Sequence, residues 1–138
     1  MKAVVQRVTS ASVRVDGEVV SAIGPGMLVL LGVGRGDGAE QVERMARKLL
    51  RLRIFPDDAG QMSEALGDRE ILCVSQFTLY GDTSKGNRPG FSAAAAPEVA
   101  ESVYLEVCER TGARRGVFGA DMEVDMAGDG PVTLLVEV

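Results

Sequence analysis

Hydrophobic and polar positions along the chain change period several times, and each change marks an element. The opening MKAVVQRVTSASVRV alternates at period two, as a half-buried strand does. SVRVDGEVVSAI holds two such runs joined by Asp16-Gly17, a favoured two-residue turn, and reads as a hairpin. GMLVLLGV is short and uniformly apolar, the pattern of a central strand. In DGAEQVERMARKLLRL the period shifts: Val42, Met45, Ala46, Leu49 and Leu50 fall on one helical stripe, and Asp37 with Glu40 predicts a capping box at its start.

EILCVSQFTL returns to strand. PEVAESVYLEVCERTG is a second helix, with Pro97 suited to its first turn and Gly112 just past its end. MEVDMAGDGPVTLLVEV reads as two strands around a Gly-Asp-Gly-Pro turn. The order is strand, strand, strand, helix, strand, helix, strand, strand, without linker or repeat. It predicts a single compact α/β domain over residues 1–138, with a mixed or antiparallel sheet and both helices packed on one side. The apolar first and last strands hint at a second copy of the chain as partner.

Composition narrows the chemistry. Of 138 residues, 46% are apolar and 25% charged, the balance of a globular protein with one real core. No apolar run approaches the roughly 20 residues that span a bilayer, and the start lacks a signal peptide's apolar block, so a cytoplasmic location is the expectation. Cys73 and Cys108 read as buried free thiols. The chain has no histidine, which removes His-based acid–base catalysis, Ser-His-Asp and Cys-His triads and His-ligated metals. A carboxylate-only magnesium or calcium site stays open, yet no such acidic cluster stands out; neither metal nor organic cofactor is expected.

Two loops invite a phosphate-binding reading and fail it. In GVGRGDG, a GxGxxG frame meets Asp37 or Ala39 where glycine is needed; in GDTSKGN, Lys85 precedes Gly rather than Ser or Thr. Arg44, Arg47, Lys48 and Arg51 form a basic stripe on the first helix, either a solvated face or a contact for phosphates. A net charge of −5 argues against extended nucleic-acid wrapping, while a short RNA end needs few such contacts.

CVSQFTL places Ser75, Gln76 and Thr78 in an apolar run. Period two puts Gln76 and Thr78 on one face and Ser75 with Phe77 on the other. They fit a half-exposed strand or a site. Thr78 as nucleophile has no histidine to activate it and is not N-terminal, though a lysine or carboxylate base stays open. Trans is the commoner isomer for a bond such as Gly130-Pro131, and composition does not settle it.

SQFTL at 75–79 and GPVT at 130–133, with QRVTSASVRVDGEVVSAIGPGMLVLLGV, RIFPDDAGQM, NRPGFS and FGADMEV around them, resemble the D-aminoacyl-tRNA deacylases over the whole chain. The resemblance implies a homodimer that hydrolyses the ester joining a D-amino acid, or glycine, to the 3′-terminal ribose of tRNA. It implies a cis Gly130-Pro131 bond whose carbonyls reach the partner's pocket as a chiral gate, rejecting L side chains by collision with rigid backbone. Arg7 of QRV would help hold that turn. Ser75, Gln76, Phe77 and Thr78 would line the pocket floor against the terminal adenosine and the ester. Backbone N–H groups around Phe77 and Thr78 would stabilise the oxyanion, and Thr78 would position groups while the ribose 2′-hydroxyl helps activate water. Two departures stand out: Gly128 replaces the family's usual asparagine, and the loop 62–70 is short. The rival readings are a non-catalytic tRNA-end-binding module and a general small-ester hydrolase using Thr78.

Overall fold

A computed structural model describes residues 1–138. Strand β1 (Lys2–Val15) turns through Asp16 (φ 51) and Gly17 (φ 80) into β2 (Glu18–Ile23), as the Asp-Gly pair requires for a turn of positive φ. β3 (Gly26–Gly32) follows, then α1 (Ala39–Arg51), a small hairpin of β4 (Phe55–Pro56) and β5 (Met62–Glu64), and β6 (Glu70–Ser75). A single 3₁₀ turn (Phe77–Tyr80) leads through a long loop to α2 (Pro97–Thr111), β7 (Arg114–Arg115) and β8 (Glu123–Glu137).

The main sheet runs β2-β1-β3-β6-β7, with β8 pairing β1 along its other edge. β1 is antiparallel to β2, β3 and β8; β3 and β6 are parallel, with Met27 opposite Ile71 and Leu31 opposite Ser75. The uniformly apolar β3 is central, as its pattern requires. Both helices pack on one face. Val42, Met45 and Leu49 of α1 and Val103, Tyr104 and Val107 of α2 share one core with Ala3, Val5, Met27, Val29 and Leu31. A second, smaller core of Val8, Val13, Ile23, Leu28, Leu72 and Val74 fills the other face, where β2 folds back against β6 and β7. Fully burying such side chains contributes about 1.5–3 kcal/mol each, so the paired cores fix the sheet rigidly.

Four expectations are corrected. The last segment is one strand rather than two around a turn: β8 stays paired with β1 from Lys2–Glu137 to Arg14–Glu123 and absorbs the Gly-Asp-Gly-Pro residues as an irregularity. EILCVSQFTL leaves the sheet at Ser75, because β3 ends at Gly32 and offers no further ladder. The α1 cap lies one residue later than predicted: Gly38 is the N-cap, and its N–H donates to Gln41 Oε1 at 3.0 Å. Asp37 instead accepts from Gly34 N–H at 2.6 Å and pairs with the Met1 amino group at 2.9 Å. Leu50 is exposed, since Val42, Met45, Ala46 and Leu49 already fill the buried stripe.

Candidate active site

The 3₁₀ turn can form where it does because two glycines admit it. A side-chain carbon at Gly32 would stand 2.9 Å from the Gln76 carbonyl oxygen and 3.2 Å from Leu79 Cβ; one at Gly34 would meet the Tyr80 hydroxyl at 2.5 Å. The glycines of GVG are thus the seat of the turn, not a phosphate cradle. Gln76 N–H makes the last ladder bond, to the Leu31 carbonyl at 2.8 Å, and the chain then curls across them. Tyr80 anchors its far end under the Lys2 ammonium, 4.9 Å from the ring centroid. Burial, with Asp37 and Glu137 nearby, pushes the Tyr80 phenol up to about 12, so it stays neutral.

This curl breaks the predicted alternation but brings the polar groups together. Gln76 Nε2 donates to Thr78 Oγ1. The backbone N–H groups of Phe77 and Thr78 open the turn and have no acceptor in the chain, as the first donors of a helical turn do not. Phe77 is 55% exposed and packs edge-on against Phe91, ring centroids 5.1 Å apart.

Ser75, Gln76 and Phe77 form one side of a cavity of about 550 Å³. Phe91, Ala94 and Ala95 from the long loop, Pro97 and Ala100 of α2, and the segment Phe118–Met122 complete it; 11 of its 15 lining residues are hydrophobic. That loop is tied down by Arg35 N–H to the Ala93 carbonyl and Ala95 N–H to the Val33 carbonyl, both 3.0 Å. Beneath the cavity, Tyr104 donates its hydroxyl to the Cys73 carbonyl at 2.8 Å, joining α2 to the strand that carries Ser75. Cys73 and Cys108 are buried free thiols, and their mutual hydrogen bond with burial pushes Cys73 up. The apolar wall escaped the sequence reading. Its signals were the small-residue run SAAAA, which leaves room for a guest, and the exposed-looking FGADM.

Arg7, Gly130 and Pro131 lie elsewhere. Val8 pairs Gly128 and Gln6 pairs Thr133, so residues 129–132 bow out opposite Arg7 alone. The Gly130-Pro131 bond is cis, and Gly130 has φ 125. Arg7 Nε donates to the Asp129 carbonyl at 3.3 Å and contacts Asp129 Oδ2 at 3.0 Å, while Nη1 donates to the Ile54 carbonyl at 2.6 Å. The bow faces Arg7, whose partners in β3 and β6 are Met27 and Ile71; Ser75 is three strands across and four residues along. At about 4.8 Å per strand and 3.3 Å per residue, the separation is roughly 20 Å. Within one chain the two motifs do not meet. Gly130 and Pro131 are exposed, and β8 leaves its outer edge unpaired, with Leu135 82% exposed.

No group of three or more His, Cys, Asp or Glu side chains is placed to hold a metal ion. No helix is long and apolar enough to cross a membrane. Phe77 lines the pocket and Thr78 follows it in the turn without lining the pocket itself. Unpaired backbone donors beside an apolar pocket define a class of site, one able to take a neutral acyl group and the negative charge that forms on its carbonyl oxygen.

Comparison with known proteins makes this specific. The family model described as D-Tyr-tRNA(Tyr) deacylase matches residues 4–137. A D-aminoacyl-tRNA deacylase of Magnetococcus marinus is 52% identical, covering 100% of this chain and 97% of that protein. One of Anaeromyxobacter dehalogenans is 55% identical over 99% and 97% of the two chains. A solved chain described as a c-Myc DNA unwinding element binding protein superposes with a TM-score of 0.95 at 47% identity, covering 100% of this chain. A probable eukaryotic D-amino acid tRNA deacylase, 18% identical, shares the fold with a TM-score of 0.85. The chain belongs to the D-Tyr-tRNA(Tyr) deacylase family.

Proposed function

We propose that the cavity beside the 3₁₀ turn hydrolyses the ester between a D-amino acid, or glycine, and the 3′-terminal ribose of tRNA, and that two copies of the chain complete it. The observation that carries this reading is the pair of unpartnered N–H groups of Phe77, which lines the apolar cavity, and Thr78, the next residue of the same turn. The adenosine lies against the apolar wall with the ester carbonyl toward these donors. Water attacks the carbonyl carbon, the oxyanion forms against the N–H groups, and the C–O3′ bond breaks. The water's proton passes to the ribose oxygen, aided by the 2′-hydroxyl, releasing the amino acid and tRNA with a free 3′-hydroxyl. Loss of one oxyanion donor in other enzymes costs roughly 2.7–4 kcal/mol.

Thr78 positions rather than attacks. Its Oγ1 already accepts from Gln76 Nε2, which lowers its nucleophilicity and leaves its O–H free to donate to the substrate. The bowed segment supplies the chiral gate in trans. In support, Gly130 and Pro131 are exposed and roughly 20 Å from their own pocket, and the long free edge of β8 with its exposed Leu135 is a template for a second copy. The enzyme acts in the cytoplasm, where aminoacyl-tRNA is.

The test is deacylation of D-Tyr-tRNA against L-Tyr-tRNA by purified protein with a chelator present. Release from the D-ester alone is expected. Binding of tRNA without cleavage of either ester would replace this reading with a non-catalytic tRNA-end-binding module. Cleavage of both esters alike would point to a general esterase.

A further inference from the structure

A groove of about 560 Å³ runs along the outer side of α1 beside the end of β8. Arg44, Arg47, Lys48, Arg51 and Arg53 line it against one acidic side chain, Glu137. In a chain of net charge −5 this concentration of cations is not a compositional accident. Arg44 and Arg47 are paired to Glu40 and Glu43 at 3.5 and 3.8 Å, and Glu137 is drawn to Lys2 at 3.5 Å. Lys48 and Arg51 have no carboxylate within salt-bridge distance, and both are exposed. At 1.5 Å per residue the four helical cations span roughly 10 Å, the reach of two or three successive phosphates on one strand.

The groove's position matters more than its charge. Its Arg53 end adjoins Ile54, whose carbonyl accepts from the same Arg7 that holds Asp129. The Arg53 end of the cationic groove is therefore built onto the base of the bowed segment 129–132, while at the other end Glu137 pairs with the Lys2 that lies over the Tyr80 ring. Resting on the proposed trans gate, we infer that the α1 groove of one protomer grips acceptor-stem phosphates of the tRNA whose 3′ end occupies the partner's pocket. One subunit then supplies both the chiral gate and the handle, and the other supplies the oxyanion donors.

The experiment compares two substrates, D-Tyr-tRNA and the stemless probe 3′-O-(D-tyrosyl)adenosine, with native protein, K48E/R51E and the milder K48Q/R51Q. The expected result is a KM for D-Tyr-tRNA raised about tenfold or more in K48E/R51E at unchanged kcat, with a salt slope shallower by about two. The stemless ester is cleaved equally by all three. Mixed dimers then fix the geometry. With one pocket filled by Ala94→Trp, the charge reversal should raise KM only when carried by the pocket-filled subunit. Unchanged KM and salt slope in both double variants, or an effect only in the pocket-bearing subunit, would overturn the inference. Failure of native protein to cleave the stemless ester and D-Tyr-tRNA would instead overturn the deacylase reading itself.

Discussion

Arg7 and Asp129 are joined twice, through the Arg7 Nε contact to the Asp129 carbonyl at 3.3 Å and to its carboxylate at 3.0 Å. Their partnership turns what would be a loose excursion of β8 into a defined feature. The Arg7 side chain is 12% exposed, and its third contact, to the Ile54 carbonyl, fastens the bow to the segment after α1. Arg7→Ala should therefore free residues 129–132 without touching the pocket. We expect the ratio of D- to L-Tyr-tRNA cleavage to fall at least tenfold, with a stability loss of about 1.5–3 kcal/mol from hydrogen bonds to a charged donor. An intact D/L ratio in a folded Arg7→Ala protein would separate this contact from selectivity.

Thr78 tests positioning against nucleophilic attack. Removing a true nucleophile from a hydrolase costs on the order of 10⁴–10⁶ in kcat. Thr78→Ala leaves the Phe77 and Thr78 N–H groups in place and should lower kcat by no more than about 100-fold, the scale of one hydrogen bond to a charged transition state. Single-turnover kinetics on D-Tyr-tRNA decide between the two. Thr78→Ser, which keeps the Gln76 acceptor, should retain most of the activity.

Glycines two residues apart in β8 should behave oppositely. Gly128 pairs with Val8 between two register shifts and has no positive φ, and a side-chain carbon there would meet only Met126 Cε, at 3.7 Å. Gly128→Ala should stabilise the fold by about 0.4–1 kcal/mol, through reduced freedom of the unfolded chain. At Gly130, φ is 125 and a side-chain carbon would lie 2.9 Å from Val132 N. Gly130→Ala should cost about 1–3 kcal/mol and shift the segment, lowering D/L selectivity. Thermal denaturation of the two variants reads both signs.

Most of the scaffold was legible because it rests on local rules: the Asp16-Gly17 turn, the period of α1, the uniform apolarity of β3. What was not legible depended on distant partners. Whether SQFTL continued as a strand was decided by where β3 stopped and by the room left at Gly32 and Gly34. The two halves of β8 remained one strand because β1 is long enough to pair with both. The sequence motif marked Ser75, Gln76, Phe77 and Thr78 as one group, and the curl brings the last three within reach of one another. The apolar wall from Phe91 to Met122 was hidden because pocket linings and ordinary core read alike.

Glu70 gives the fold a signature in acid. Its Oε2 accepts from Gly24 N–H at 3.1 Å and its Oε1 from Arg114 Nε at 2.8 Å, linking the β2–β3 corner to β7. The Gly24 N–H, then Arg114, holds its carboxyl below the ordinary value of 4.5. A carboxyl depressed in the folded state adds stability above its unfolded pKa and loses it as pH falls through the folded one. Glu70→Gln should melt below the native protein at neutral pH, and the two curves should converge below about pH 4. A constant gap in Tm from pH 7 to pH 3 would assign the effect to packing instead.

Leu135 is where the trans arrangement is most exposed to test. It is 82% exposed on a strand whose outer edge is unpaired, the surface that a second copy covers in the proposed dimer. Leu135→Arg puts a charge into that contact while leaving the pocket, some distance away on β6, untouched. Sedimentation should show native dimers and variant monomers at the same concentration. With the gate supplied by the partner, as proposed, the monomer should lose discrimination and most activity together, with a single-chain Tm little changed. Activity that recovers as the variant is concentrated would place the loss in assembly, as expected; a monomeric variant with full D-selective activity would show that one chain suffices.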